Sequence, residues 1–332
     1  MNANSQDIEQ CALALRGLAE EVSKAVVGQR EALEQTLACF VASGHVLIEG
    51  VPGLGKTLLA RALARSMALS FARVQFTPDL MPSDITGYTV LDREAHASGG
   101  TDAGSMRLVR GPVFTNLLLA DEVNRAPAKT QSALLEVMQE YQVTLEGRSI
   151  ALPRPFIVMA TQNPIETEGT YPLPEAQLDR FLLKVRVGYP TAQEEGEIVR
   201  RTTERQAGDE LPLQDVAPRL DERAARAIQA MAARVRVAEP VGDYAVRIAR
   251  ATRDWPGLSW GAGPRGAIAL VRLARAAALM AGRDFAVPDD VKRFAIPTLR
   301  HRVALAPDAQ LEGRSIDELL SGAVESVEAP RL

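Results

Sequence analysis

The sequence predicts an α/β protein in which a core with a parallel sheet and two β-hairpin inserts is followed by a smaller, all-helical domain. Short apolar segments alternate with helical patterns across residues 1–190, which is typical of parallel strands joined by helical crossovers. A glycine-rich loop separates the first apolar segment from the helix after it. Residues 191–332 are instead rich in Ala, Arg and Glu at the spacing of amphipathic helices.

These patterns predict the individual elements. Five apolar segments are the expected strands of the sheet, at 45–49, 72–76, 116–120, 156–161 and 182–187. A helix rich in Leu and Ala is predicted over 56–67, and another helix leads into the core. The second domain is expected to contain four helices, over 224–236, 241–252, 266–280 and 289–299. We therefore expect one domain over 1–190 and a second over 191–332.

Two segments interrupt the alternation and are predicted as hairpins. In the first, β-like pieces at 88–91 and 106–109 flank a small, polar, Gly-rich stretch over 97–105. In the second, over 141–152, apolar residues alternate on both sides of a turn at Glu146-Gly147-Arg148. Both hairpins are insertions in an otherwise regular α/β pattern.

The composition favours a cytoplasmic protein that does not bind nucleic acid. Hydrophobic residues make up 46% of the chain and charged residues 24%, as in soluble globular proteins. The apolar runs are too short to span a bilayer, and the polar N-terminus lacks a signal-peptide pattern. The net charge of -4 and the lack of a run of Lys or Arg argue against a sequence-independent nucleic-acid binder.

A phosphate-binding loop is predicted at Gly50-Val51-Pro52-Gly53-Leu54-Gly55-Lys56-Thr57, which follows an apolar strand and opens a helix. Glycines let backbone N–H groups surround phosphates, and the helix N-terminus adds partial positive charge. We expect Lys56 to reach the β- and γ-phosphates of ATP and Thr57 to hold Mg²⁺. A glycine turn before a structural helix is the alternative, which the strand–loop–helix context disfavours.

A second apolar strand, over 117–120, ends in two carboxylates. Asp121 is expected to contact Mg²⁺ through its water shell, and Glu122 to polarise the attacking water. Alone, an apolar run that ends in Asp-Glu usually marks only the end of a strand. It gains significance here because it follows the phosphate loop in the same α/β domain.

Three more residues have a structural as well as a functional interpretation. Asn163, after the fourth strand, either positions water against the γ-phosphate or belongs to an ordinary Asn-Pro turn. Arg180, before the fifth strand, is either a salt-bridged surface residue or an arginine finger for a neighbouring subunit's ATP. Arg265 begins a helix, where the helix dipole disfavours a cation, so a nucleotide phosphate is one candidate to compensate its charge.

With these residues assembled, the chain resembles MoxR-type AAA+ ATPases from about residue 26 to about residue 303. The phosphate loop matches Walker A, residues 117–122 match Walker B, and Asn163 matches sensor 1. The segment around Arg180 resembles the one that carries the arginine finger. Arg265 matches the sensor 2 arginine in Gly-Ala-Gly-Pro-Arg, where the family usually has Ser before Pro; the Pro and Arg are retained. The hairpins resemble the family's helix-2 and pre-sensor-1 inserts.

The resemblance implies ATP and Mg²⁺ as ligands. It implies that Thr57 and Asp121 serve the metal, and that Arg125 also faces the neighbouring subunit. The implied catalytic residues are Lys56, Glu122, Asn163, Arg180 and Arg265. The residues implied to bind ATP are Val27, Gly28, Gln29, Gly50, Pro52, Gly53, Leu54, Gly55, Lys56, Thr57 and Leu58.

The resemblance also implies a homo-oligomer, a hexameric ring, with ATP at the subunit interfaces and Arg265 acting in cis or in trans. It implies chaperone-like remodelling, maturation or metal-cofactor insertion of client proteins, together with a separate protein bearing a von Willebrand factor A domain. One alternative is a nucleotide-gated binding scaffold with little turnover, against which Glu122, Asn163 and Arg180 argue. Another is a nucleic-acid motor, suggested by the shared inserts.

Overall fold

The computed structural model describes residues 5–91, 106–164, 169–203 and 211–331. The helices are α1 (Ser5–Ala25), α2 (Arg30–Val41), α3 (Lys56–Ser66), α4 (Pro82–Thr86), α5 (Ala128–Glu140), α6 (Glu175–Leu178), α7 (Ala192–Thr203), α8 (Glu222–Arg234), α9 (Glu239–Ala251), α10 (Pro264–Met280), α11 (Pro288–Arg293), α12 (Ala295–Leu299), α13 (Pro307–Leu311) and α14 (Ile316–Glu325). The strands are β1 (Val46–Glu49), β2 (Phe71–Gln75), β3 (Gly87–Leu91), β4 (Met106–Arg110), β5 (Leu117–Asp121), β6 (Gln142–Leu145), β7 (Arg148–Ala151), β8 (Ile157–Gln162), β9 (Leu183–Arg186), β10 (Leu258–Trp260) and β11 (Ala304–Leu305).

The centre of the fold is a five-stranded parallel sheet in the order β2-β5-β8-β1-β9. All five predicted strands form, and each end lies within one residue of its predicted position. The middle strands are continuous apolar runs because helices cover both faces of the sheet; β5 is buried along its whole length. Parallel pairing brings the carboxyl ends of all five strands to one edge, where ligands bind in open α/β sheets.

Both predicted hairpins form outside this sheet. Strands β3 and β4 pair antiparallel from Gly87 with Arg110 to Leu91 with Met106, and the predicted stretch over 97–105 lies outside the described residues. Strands β6 and β7 pair antiparallel as well. Their turn contains only Glu146 and Gly147, which both have positive φ, the geometry that matches the twist of a two-residue hairpin.

The second half of the chain, from α7 to α14, is helical and is called the helical half below. The structure corrects one predicted helix there and adds one pair of strands. The single helix predicted over 289–299 is wrong, because α11 and α12 are separate helices on either side of Phe294. Pro297 has no N–H to donate to the carbonyl of Arg293, four residues earlier, so one continuous helix is disfavoured. In addition, β10 and β11 form a short two-stranded ribbon.

A shared hydrophobic core joins the helical half to the sheet. Leu18 of α1, Leu37 of α2 and Leu63 of α3 belong to the same cluster as Leu270 and Leu273 of α10. Each of these side chains is at most 2% exposed, and burying a Leu side chain stabilises a fold by about 1.5–3 kcal/mol. Within the residues that the structure describes, none of the helices has the length and apolar character needed to cross a membrane.

His45 connects three elements at the amino end of the sheet. Its Nδ1 accepts a hydrogen bond from the Val158 N–H, 3.0 Å away, so the proton is on Nε2, which lies 3.0 Å from the Met138 carbonyl oxygen. Burial lowers the pKa of His45 to about 4, against the opposing effect of the Met138 bond. The folded protein therefore holds this imidazole neutral at pH values where an exposed histidine is protonated.

We predict that His45 makes the protein acid-sensitive. As the pH is lowered, the unfolded chain gains the proton near pH 6.5 and the folded chain only near pH 4. The free energy of unfolding therefore decreases as the pH falls from 6.5 to 4, by up to about 3 kcal/mol. Urea unfolding at several pH values should show a shallower pH dependence for His45→Gln than for the wild type. His301 is buried in both proteins, so its contribution cancels. Equal slopes would contradict the prediction.

Candidate functional site

The glycine-rich loop connects β1 to α3 at the carboxyl edge of the sheet. Gly53 and Gly55 have φ values of 83° and 73°, which residues with a Cβ rarely adopt. Gly55 is the N-cap of α3, so the loop and the unpaired N–H groups of the first helical turn face the same space. This is the arrangement that binds phosphate groups. Thr57, half-buried, follows in the first turn of the helix.

Lys56 is the buried cation of this loop. Its side chain donates to the Gly50 carbonyl, and the residue is 8% exposed. Burial lowers the pKa of Lys56 from its ordinary value, and the nearby carboxylates of Asp121 and Glu122 oppose that shift. A buried ammonium with one carbonyl partner has spare donors, so an anionic ligand would satisfy it.

Asp121 ends β5, two strands away from β1 at the same edge of the sheet, and is 7% exposed. Its Oδ1 accepts a 2.5 Å hydrogen bond from the Thr161 hydroxyl, and its Oδ2 lies 2.6 Å from Nη2 of Arg73. The same Thr161 hydroxyl accepts from the Glu122 N–H at 2.9 Å. One buried threonine on β8 thus fixes both acidic residues at the end of β5.

Glu122 follows Asp121 in the left-handed region, with φ of 57°, a strained conformation that is often found at functional sites. Its Oε2 lies 2.7 Å from Nε2 of Gln75 and 3.1 Å from Nη1 of Arg125. The resemblance implied a neighbouring subunit as the partner of Arg125, whereas here Arg125 contacts Glu122 of its own chain.

Arg73 and Gln75 belong to this site as well, although they were not predicted. The two residues are exposed and lie two positions apart on β2, so their side chains point to the same face of the strand. Gln75 is in register with Asp121. The signal that could have identified them is a pair of polar residues, two positions apart and so on the same face, near the carboxyl end of a predicted strand.

Asn163 completes the group at this edge. It follows β8 and is 7% exposed. The Gly50 N–H donates to the carbonyl of Gln162 at 3.3 Å, so the end of β8 is bonded directly to the phosphate loop. The structure therefore brings Lys56, Asp121, Glu122 and Asn163 to one edge of the sheet.

A cavity of about 100 Å³ lies behind the loop. Gln29 crosses it and donates to the Leu54 carbonyl, while its own Oε1 is buried without a hydrogen-bond partner. Such an orphaned acceptor fits a ligand with an amine donor, such as the adenine base. The predicted nucleotide residues that line the cavity are Val27, Gly28, Gln29, Gly53, Leu54, Gly55 and Leu58. Ile198, Arg201 and Thr202 of α7 also line it and were not predicted.

Arg180 and Arg265 lie together at the opposite edge of the sheet. They line one cavity of about 320 Å³ with Asp179, and Nη1 of Arg265 is 3.5 Å from Oδ2 of Asp179. Because β9 is parallel to β1, Arg180 before β9 lies at the amino end of β1, whereas the phosphate loop follows its carboxyl end. A strand of four residues separates these edges by about 13 Å. The two arginines are therefore not beside their own phosphate loop.

Comparisons with known proteins agree with this geometry. Residues 45–183 match the family model described as "ATPase family associated with various cellular activities (AAA)", and residues 250–322 match the AAA lid domain. Chaperone MoxR1 of Mycobacterium tuberculosis is 44% identical, over 94% of this chain and 81% of that protein. Protein MoxR of Methylorubrum extorquens is 32% identical over 93% of both chains. A crystal structure of a candidate ATPase from Cytophaga hutchinsonii, 38% identical, superposes with a TM-score of 0.87 and covers 98% of both chains.

We predict that Thr161 is the structural support of the acidic pair. Replacing it with the isosteric Val removes the donor to buried Asp121 and the acceptor of the Glu122 N–H, so Thr161→Val should lower the free energy of unfolding by about 2 kcal/mol or more. Urea unfolding measures this change. Thr115→Val is the control, because this threonine is also buried, at 4% exposed, and its hydroxyl donates to the Ser70 hydroxyl instead of to a carboxylate, so its loss should cost less. Equal losses in the two variants would contradict the prediction.

Proposed function

Because the chain belongs to the MoxR-type AAA+ ATPase family, we propose that it hydrolyses ATP in a hexameric ring and uses this reaction to remodel client proteins. One observation carries the ATPase part: the cation Lys56 and the carboxylates of Asp121 and Glu122 meet where the phosphate loop leaves the sheet. A loop that only shaped a turn would not require this cluster of charges, in which Lys56 and Asp121 are buried.

Nucleotide binding is assigned to the loop and to the cavity behind it. The phosphates would accept from the N–H groups of the loop and of the first turn of α3, and Lys56 would exchange the Gly50 carbonyl for a phosphate oxygen. The base would enter the cavity that contains the unpaired Oε1 of Gln29. Thr57 and Asp121 would hold Mg²⁺, which neutralises negative charge on the phosphates when it is bound.

Hydrolysis is assigned to Glu122, with Asn163 as a second polar group that orients water. A carboxylate that accepts a proton from water needs a free oxygen lone pair near the γ-phosphate. In this structure Gln75 and Arg125 both contact Oε2 of Glu122, so we propose that the other oxygen, Oε1, accepts the proton from water. Lys56 would stabilise charge on the phosphoryl group that is transferred.

The position of two arginines supports a site shared between subunits. Arg180 and Arg265 line a cavity at the amino edge of the sheet, and a strand length of about 13 Å separates this edge from the one that carries their own phosphate loop. We propose that both reach the ATP of the next subunit, Arg180 as the arginine finger and Arg265 as the sensor 2 arginine in trans. A homo-oligomer is then required for turnover, because each site lacks its arginines until a neighbour supplies them.

The two hairpins are the proposed output elements. The Thr89 hydroxyl of β3 donates to the Glu146 carboxylate in the turn between β6 and β7, so the inserts contact one another directly. The similarity to Chaperone MoxR1 favours a chaperone-like role. We propose that the ring acts in the cytoplasm with a separate protein bearing a von Willebrand factor A domain, in the maturation or metal loading of clients.

Glu122→Gln is predicted to separate ATP binding from turnover. Gln keeps the shape of the side chain and loses the base, so ATP binding should be retained while turnover falls by about 10²-fold or more. Binding of a fluorescent ATP analogue and release of inorganic phosphate measure the two properties. Glu136→Gln, at an exposed position of α5, should change neither. If the wild type turns over no faster than Glu122→Gln, the protein is the nucleotide-gated scaffold instead.

The same variant tests the proposed partner, because it should hold ATP without consuming it. Immobilised Glu122→Gln loaded with ATP is expected to retain a protein with a von Willebrand factor A domain from a lysate of the source cells. Lys56→Ala, which lacks the phosphate ligand, should not retain that protein. Recovery with both variants, or with neither, would contradict a nucleotide-dependent partner of this class.

Mixed oligomers are predicted to recover activity. Arg180→Ala should lower turnover by about 10³-fold or more, and Lys56→Ala should abolish it. When the two variants are co-expressed with different tags and purified through both, the Lys56→Ala subunit supplies its arginines to the intact loop of its neighbour, so phosphate release should rise well above that of either variant alone. A mixture of Lys56→Ala with the double variant Lys56→Ala/Arg180→Ala is the control. It cannot recover phosphate release, because none of its subunits has an intact phosphate loop. An active monomer in light scattering would overturn the shared site.

A further inference from the structure

Arg302, in the turn after α12, is a buried cation whose guanidinium group is fully used. The residue is 8% exposed. Nε donates to Asp179 Oδ1 at 2.8 Å, and Nη2 donates to the carbonyls of Phe181 at 2.6 Å and Asp179 at 3.3 Å. Nη1 donates to the Leu182 carbonyl at 3.1 Å and to the Thr298 carbonyl. These are all five N–H donors that an arginine has.

Four of the five bonds go to the short segment 179–182, which contains Arg180. The neighbouring His301 adds another contact, since its Nε2 lies 3.1 Å from the Phe181 carbonyl oxygen. Two consecutive residues of the helical half therefore contact the backbone on both sides of Arg180. The directional bonds fix that backbone, while the Arg180 side chain takes no part in them.

Asp179 connects this cluster to the second arginine of the proposed site. Its Oδ1 accepts from Arg302, and its Oδ2 lies 3.5 Å from Nη1 of Arg265. Arg265 lies in the first turn of α10, and Asp179 directly precedes Arg180 in the chain. One carboxylate thus joins the buried Arg302 to Arg265, so that the two proposed trans-acting arginines have a common support.

The burial of Arg302 makes any movement of the 179–182 segment costly. A guanidinium in a low-dielectric interior is costly unless its charge is paired and every donor is satisfied. Burial lowers the pKa of Arg302 from its ordinary value, and the Asp179 carboxylate opposes that shift. Movement of the 179–182 segment would leave several buried donors without partners at once, so the segment is held in one position for as long as Arg302 is docked.

We infer that Arg302 is a positioning residue that aims Arg180 and Arg265 as one unit at the ATP of the neighbouring subunit. The inference rests on the proposed function, in which these arginines act in trans. Through Arg302, the orientation of the helical half sets the position of the arginine finger. Arg302 itself touches neither the phosphate loop nor the acidic pair of its own subunit.

A second arginine two positions earlier provides a matched control. Arg300 also belongs to the helical half, and its side chain is 9% exposed, against 3% for the side chain of Arg302. It contacts the sheet through the Lys184 carbonyl at 3.3 Å and pairs with Asp317 of α14 at 3.1 Å. It therefore also docks the helical half on the sheet, but without a bond to 179–182. If these arginines only dock the helical half on the sheet, replacing either one should lower phosphate release. If Arg302 positions Arg180 and Arg265, only its replacement should do so.

The experiment replaces each arginine with Met and measures three properties of the purified oligomer. For Arg302→Met, phosphate release should fall at least about 10²-fold, because a shift of about 1 Å in a positioned group can have that effect. Binding of a fluorescent ATP analogue to its own intact loop should change little. Co-expression with Lys56→Ala should restore phosphate release, because that subunit carries correctly aimed arginines. Arg300→Met should keep phosphate release within about threefold of wild type.

The outcomes separate this inference from the proposed function. If Arg180→Ala recovers with Lys56→Ala and Arg302→Met does not, Arg302 acts within its own subunit and the inference is wrong. If Arg300→Met and Arg302→Met lose activity equally, Arg302 only docks the helical half. If Arg180→Ala itself fails to recover, the shared site is wrong. If Arg302→Met does not fold, Arg302→Lys and Asp179→Asn replace it in the experiment. Both substitutions keep the approximate side-chain volume but weaken the bonds between Arg302 and the 179–182 segment. Both variants should recover phosphate release when they are co-expressed with Lys56→Ala.

Discussion

The parallel pairing of β1 with β8 on one side and β9 on the other is the constraint on which the site depends. It aligns Glu49 with Gln162 and with Arg186, so residues that follow β1 and β8 meet at the carboxyl edge. Residues that precede β9 are left at the amino edge by the same register. A shift of one residue in either pairing would turn every side chain of a strand to the other face. The buried His45, bonded to β8 and α5 at the start of β1, opposes such a shift.

The local parts of the site could be predicted from the sequence, and the long-range parts could not. The residues of the phosphate loop, Gly50 to Thr57, follow one another in the chain, and so do Asp121 and Glu122. The chemistry of each group is therefore visible as a motif. Arg73 reaches Asp121 across 48 positions and Arg302 reaches Asp179 across 123, and neither spacing has a pattern. The strands were predictable because apolar runs record burial on both faces. The division of α11 and α12 depended on one missing N–H at Pro297, which periodicity does not record.

Two kinds of interaction join the helical half to the sheet, and they have different consequences. The cluster that contains Leu37, Leu63 and Leu270 supplies apolar area, which stabilises without fixing direction. Arg300, His301 and Arg302 contribute hydrogen bonds to the backbone near β9, and such bonds weaken steeply when their angles change. The apolar contacts therefore keep the halves together, while the polar contacts fix their relative orientation. Both are needed if the position of one half is to set the position of Arg180.

Strand β2 contacts the acidic pair Asp121-Glu122 and is followed closely in the chain by the first hairpin. Gln75 contacts Glu122, and the Phe76 N–H donates to the Asp121 carbonyl at 2.8 Å. From Phe76 the chain runs through α4 directly into β3, and β3 contacts the second hairpin at Glu146. A rearrangement of the Glu122 carboxylate that broke its contact with Gln75 would act at the end of β2, the strand from which the chain leads into the inserts. The nucleotide edge and the proposed output elements are thus linked without passing through the helical half, which instead acts on the arginine edge.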